Sequence, residues 1–235
     1  MAIKNSNLLK ISNLKSFFYL LSITSVMFIL LFVDSQTNVR NTELIVNDLA
    51  KITEIPNTVT SVILGTRLFD TVGEVTVFTL AGLGVKILLN EEKSEQEFKG
   101  IKDLTIIQLL DFSSLLCAFL AIELAIRGHL TPGGGFASGV AGATAITLLM
   151  ITGRMQKLEN IYFKFNAVAL EKFAVIAFIF VALLSFSSIL LSQFNFLNIP
   201  QSFLIPTLNI ICAFKVTLGT WSIIRLFILK RGLFS

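Results

Sequence analysis

Long apolar runs, each near the length of a bilayer-spanning helix, alternate with short polar stretches along the whole chain. A span needs about 20 mostly apolar residues, and six runs approach that length, at 16–33, 69–89, 104–127, 135–152, 173–192 and 203–229. The pattern predicts an all-α integral membrane protein of six transmembrane helices. The first run follows Lys4, Lys10 and Lys15, as a signal peptide would. Its apolar core is longer than a usual signal core, however, and Asp34-Ser35-Gln36 offers no small-x-small cleavage site, so it is expected to stay as a helix. Two polar stretches break the pattern. Residues 34–60 suit an external segment with a short amphipathic helix ending at Pro56, and the mixed-charge run EEKSEQEFKG within 90–103 suits a solvated cytoplasmic linker. The linker divides a two-span part, 1–103, from a four-span part, 104–235, and no internal repeat is evident.

Composition narrows the class. Apolar residues make up 54% of the 235 and charged residues only 14%, where ordinary globular domains carry about a quarter charged. This leaves too little polar surface for a soluble enzyme. Two cysteines, Cys117 and Cys212, each inside an apolar run, supply neither a disulfide framework nor a metal cluster, and one histidine, His129, argues against a haem or zinc site in this chain. The net charge of +4 is spread between the spans rather than gathered into a stripe, which sets nucleic acid aside. With the N-terminus inside, the inner flanks hold 14 Lys and Arg and the outer flanks 4, with Lys215 inside a span. That bias predicts a multi-pass protein of the cell membrane with both termini cytoplasmic.

Charges inside a bilayer are costly and are candidates for function, with structural pairing as the rival reading. In the second span Arg67, Asp70 and Glu74 lie within two helical turns. Asp70 and Glu74, four apart, share a face and form either a cation site or part of an ion pair with Arg67. In the third span Asp111 and Glu123 are 12 residues apart, about 120° around the helix and roughly 18 Å along it, so they do not form one site alone. Glu123 stands four before Arg127, a local salt bridge in the plainer reading, whereas Asp111 has no cationic neighbour at helical spacing and needs a partner from another span or a wet cavity.

The most specific string is Arg127-Gly-His-Leu-Thr-Pro-Gly-Gly-Gly-Phe136. Pro132 suits a helix start. Gly133, Gly134 and Gly135 leave a backbone bare of side chains, which at membrane depth must be covered by protein or line a cavity. Gly135 and Gly139 make a GxxxG pair that Gly142 extends, so the fourth span is expected to pack closely on a neighbour. His129 either relays protons or hydrogen-bonds the glycine turn. Lys215 lies about ten residues from either end of the sixth span, too deep to reach water easily. It is the leading functional candidate, exchanging a proton or pairing with a buried carboxylate such as Asp111 or Glu74. Asn209 and Thr217 on the same span are expected to satisfy backbone groups, and the cysteines, phenylalanines and Trp221 to pack.

GHLTPGGGF followed by a small-residue helix resembles the GHxxPGGGF signature of the B subunit of Mrp-type multisubunit sodium/proton antiporters, and IPTLNIICAFKVTLGT is similar to that family's last helix. RLFDTVGEVTVFTLAGLGV separately resembles the FRGFDTLGE motif in the C-terminal helices of the large antiporter A subunit. The resemblance spans roughly 57–231 and implies a fusion of the A-subunit tail with the B subunit. The same modules occur in membrane-bound hydrogenases and sulfane reductases. Departures are Ala137-Ser138-Gly139 after the motif, where a paired glycine is usual, and Leu68 in place of a motif glycine. The long bundle that carries the family's lysine and glutamate proton channel is missing.

The expectation is therefore an accessory, non-catalytic membrane subunit of a cation/proton antiporter module, without a cofactor of its own and with Na⁺ as the transported ion. Asp70, Glu74, Asp111, Glu123, His129 and Lys215 would line or support a polar pathway shared with other antiporter-type subunits, while Pro132 to Phe136 and Gly139 shape the turn and helix contact. Carboxylates near the outer face suit Na⁺, a hard cation. A rival expectation places the same fold beside hydrogenase-like or sulfane-reductase-like redox subunits, and a third is a scaffold whose charges only form interhelical pairs.

Overall fold

A computed structural model describes residues 39–90, 100–190 and 199–231, together with Leu21 and Thr24. The expected span at 16–33 lies outside the described residues apart from those two, as does most of the charged linker. The chain forms two compact units, Met1–Ile45 and Val46–Ser235. In the first, residues 39–45 open helix α1 (Val39–Thr53), the amphipathic helix expected of the 34–60 segment.

The second unit is entirely helical among its described residues. After α1 come a single turn, α2 (Thr58–Ser61), a π-helical turn (Val62–Thr66), α3 (Leu68–Asn90), α4 (Leu104–Arg127), α5 (Gly135–Leu149), a second π-helical turn (Met150–Arg154), α6 (Met155–Lys164), α7 (Ala167–Leu190) and α8 (Gln201–Arg231). Among the described residues five helical stretches are long and apolar enough to cross a membrane, starting at Leu68, Leu104, Gly135, Ala167 and Gln201. Three of the expected spans thus match within a few residues. Asp103 caps α4 by accepting from the Thr105 and Ile106 amides, which is why the linker ends there.

Two boundaries need correction. The fifth span begins at Ala167 rather than 173, because Asn166 turns the chain with φ of 46° and the helix then takes in Glu171 and Lys172. Hydropathy excluded those two charges, but a helix start tolerates them when their heads reach other side chains. The fourth span does not run straight to 152. It breaks at Thr152 and Gly153, where φ reaches 85°, and resumes as the polar-faced α6.

α8 is the axis of the fold. α5, α7, α3 and α4 all pack on it. One core joins Leu68 and Val75 of α3, Phe178 and Ala182 of α7, and Ile205, Leu208, Cys212 and Val216 of α8. A second, toward the other end, joins Met150, Met155, Tyr162, Trp221 and Ile228.

Candidate functional site

The glycine string sets α5 against α8. Gly134 holds φ of 149° and ψ of 166° immediately before the helix, a conformation L side chains rarely adopt. The helix starts at Gly135, so Pro132 sits in the preceding turn and not at the first helical position as expected. A Cβ on Gly135 would stand 2.5 Å from the Asn209 carbonyl oxygen, and one on Gly139 would stand 2.4 Å from Val216 Cβ. The GxxxG face therefore does pack closely, as expected, despite the serine beside it. Ser138 turns instead to α4, its Oγ donating to the Ala121 carbonyl at 2.6 Å.

The turn before α5 is tied to residues 57–60. Asn57 Nδ2 donates to the carbonyls of Gly128 (2.8 Å) and Thr131 (2.7 Å), Thr60 Oγ1 donates to Gly128, and the Asn57 amide donates to the His129 carbonyl. His129 thus joins the turn through its backbone, while its Nδ1 is buried without a hydrogen-bond partner among the described residues. On α8, Asn209 and Thr217 bond to backbone as expected: Asn209 Nδ2 donates to Leu124 and Ala125, and Thr217 Oγ1 to Gly139 and Ala213. Asn209 Oδ1 is left without a partner.

Lys215 is fully buried at the centre of this packing. Its Nζ lies 3.6 Å from Glu171 Oε1 of α7 and 3.9 Å from the centre of the Phe78 ring of α3. The sequence suggested Asp111 or Glu74 as its partner, and the structure corrects this to Glu171. At 3.6 Å the contact is ionic rather than a full hydrogen bond, and the ammonium makes none among the described residues. Burying a charge so is costly unless a counter-charge and polarisable groups surround it, which Glu171 and the Phe78 face supply.

Two cavities flank the pair. One, of 220 Å³, lies among the glycine turn, Thr60, Thr71, Asn209 and Cys212. The other, of 320 Å³, reaches Glu171, Lys86, Lys172, Gly219, Ser222 and Arg225. Asn209, Cys212, Lys215, Gly219 and Ser222 recur at three- and four-residue steps, so one stripe of α8 borders first one cavity, then the lysine, then the other. The gap between Cys212 and Gly219 is roughly 10 Å of helix.

The remaining candidates stand apart. Arg67 and Asp70 pair at 2.6 Å, and Glu123 and Arg127 at 3.0 Å; all four side chains are more than half exposed. Glu74 is exposed on α3 and joins no ion pair among the described residues. Asp111 finds a partner from another element, Arg154 of the π-helical turn, at 2.6 Å. The six expected pathway residues are therefore not gathered into one site. Glu171, Phe78 and Arg154 were missed from sequence, the first because its position just ahead of an apolar run reads as a flank.

No curated protein matches the chain. Among solved structures, a chain of the membrane-bound sulfane sulfur reductase, an archaeal respiratory membrane complex, shares the fold with a TM-score of 0.61 at 22% identity, over 93% of this chain and 99% of that one. A family model described as a domain related to the MnhB subunit of Na⁺/H⁺ antiporters matches residues 105–222, half of the chain, and so takes in the glycine turn, Glu171 and Lys215. This multi-pass membrane protein therefore belongs to the family of domains related to the MnhB subunit of Na⁺/H⁺ antiporters.

Proposed function

We propose that the chain is an accessory, non-catalytic subunit of a multisubunit cation/proton antiporter module in the cell membrane, with both termini cytoplasmic, and that it carries a proton at Lys215. The observation that carries this reading is the buried Lys215–Glu171 pair standing between two cavities along one stripe of α8. Lys215 can donate a proton and Glu171 can accept one, and the two lie 3.6 Å apart, close enough for a proton to pass with a small movement of either side chain. Protonation on one side and release to Glu171 on the other is the simplest charge movement open to it. The 14-to-4 bias of basic residues supports an orientation in which the cavity beside Glu171 faces the cytoplasm and the glycine-turn cavity the outside. Na⁺ would travel elsewhere, with Glu74 contributing an oxygen ligand at a boundary with a neighbouring antiporter-type subunit. The part before residue 104 would then be the fused tail of the large subunit, which the clamp of Asn57 and Thr60 on the turn at 128–131 favours.

The likeness in fold to a chain of a respiratory complex favours a second reading, in which the same proton step is driven by redox subunits. The two readings differ in the partners that co-purify with a tagged chain.

The test is proton movement in proteoliposomes holding the intact complex. Lys215→Met is expected to abolish it. Since removing one member of a buried pair strands the other, at about 3–5 kcal/mol, the double variant Lys215→Met with Glu171→Gln is measured too. It is expected to restore complex yield but not proton movement. Normal proton movement in an assembled double variant would overturn the proposal.

A further inference from the structure

The 320 Å³ cavity has a cationic rim that proton transfer at Lys215 does not require. Lys86 of α3, Lys172 of α7 and Arg225 of α8 all line it. Arg225 is anchored from behind, 2.6 Å from Glu159 and stacked 4.6 Å from the Tyr162 ring and 4.8 Å from the Phe163 ring, yet its Nε is buried without a hydrogen-bond partner among the described residues. Lys86 and Lys172 are exposed and pair with no described carboxylate. Among the described residues Glu171 is the single acidic one of the lining, and Lys215 engages it. Exposed apolar side chains, Leu83 at 46% and Phe163 at 64%, stand among these cations on the same lining.

Position in the helices adds a depth. Lys86 is four residues from the end of α3, Lys172 is the sixth residue of α7, and Arg225 is six residues from the end of α8. Each is thus about 6–9 Å from a helix end, the level at which a bilayer gives way from hydrocarbon to headgroup. A free anion in water would use the charges and leave Leu83 and Phe163 without a role. A phospholipid uses both, its phosphate meeting the cations and its chain the apolar side chains.

We propose that this cavity binds the phosphate of an anionic phospholipid, with Lys86 and Lys172 as the mobile contacts, Arg225 as the fixed one, and the acyl chain lying over Leu83 and Phe163. The lipid fills the seam between α3, α7 and α8 at the interface and fixes the helices that hold Lys215, Glu171 and Phe78 together.

The intact complex, placed in nanodiscs of phosphatidylglycerol or of phosphatidylcholine and then returned to mild detergent, tests this by native mass spectrometry of retained lipid. Phosphatidylglycerol should stay bound to the natural complex and phosphatidylcholine should not. In K86Q/K172Q, retention should fall about thirty-fold, the scale set by two interfacial lysines, whereas K86R/K172R should retain the lipid and so separate charge from assembly. Equal retention by the natural and K86Q/K172Q complexes would overturn the proposal. So would release of the lipid by equimolar inorganic phosphate, since the site would then be one for a free anion.

Discussion

The two flanks of this bundle handle charge in opposite ways. Along α8, 39% of the span's apolar centre is buried, and Lys215 in it is sealed against a carboxylate and an aromatic ring from two other helices. Along α3 and α4 only 11% is buried, and two of their charges, Asp70 and Glu123, are met by arginines three or four residues away. A pair within one helix forms whatever the helix packs against. A pair across helices exists only once the bundle is assembled, so its geometry reports on the fold and changes with it. That difference leaves the exposed apolar faces of α3 and α4 to lipid or neighbouring subunits.

The comparison breaks most readily at the glycine seam. Gly139→Leu would drive a side chain into Val216, whose Cβ lies 2.4 Å from where a first carbon would sit. Backbone there has no room to retreat, since Thr217 and Asn209 hydrogen-bond on either side of the contact. Overpacking costs about 1–3 kcal/mol in an ordinary core, occasionally more, and here it would also part Lys215 from Glu171. The expected outcome is loss of the chain from the purified complex, read as subunit yield. The matching change on the far side, Val140→Leu, falls on an exposed position and should leave yield unchanged.

Much of this was legible in the sequence, and for physical reasons. Spans follow from hydropathy because a bilayer penalises unsatisfied backbone, so α3, α4 and α8 were found almost to the residue. That α5 packs closely on a neighbour was legible from Gly135 and Gly139, though not that the neighbour is α8. Partners were not legible. Lys215 and Glu171 are 44 residues apart and meet through the packing of α7 on α8, which no local spacing encodes. Hydropathy also misled directly, by trimming Glu171 from its helix as a flanking charge. Arg154 went unmatched to Asp111 for a related reason: the break at Thr152 and Gly153 turns the chain back toward α4, and a straight span would not.

Asp111 and Arg154 sharpen the comparison from the middle, being an interhelical pair that is only half sealed, at 30% and 47% exposure. Asp111 Oδ1 is buried without a partner while Oδ2 takes the guanidinium. Asp111→Asn keeps the shape and a hydrogen-bond acceptor but removes the charge. It should lower the midpoint of thermal unfolding of the complex by a few degrees while sparing proton movement. If transport fell with Asp111→Asn as far as with Lys215→Met, charge along α4 would belong to the same path, and the division between the two flanks would not hold.

The smallest effect is expected at Glu123 and Arg127, where a 3.0 Å pair joins side chains 54% and 53% exposed. An exposed pair at this spacing is worth about 0–1 kcal/mol, because holding two long side chains together costs entropy and the surroundings screen the gain. Glu123→Gln should therefore leave both the yield of the complex and its proton movement within error of the natural protein, measured side by side in proteoliposomes. A large effect would be the more instructive result. With no partner among the described residues other than Arg127, a loss of transport would mean that Glu123 meets a group on a neighbouring subunit, and that the exposed face of α4 is part of the ion route rather than a surface turned to lipid.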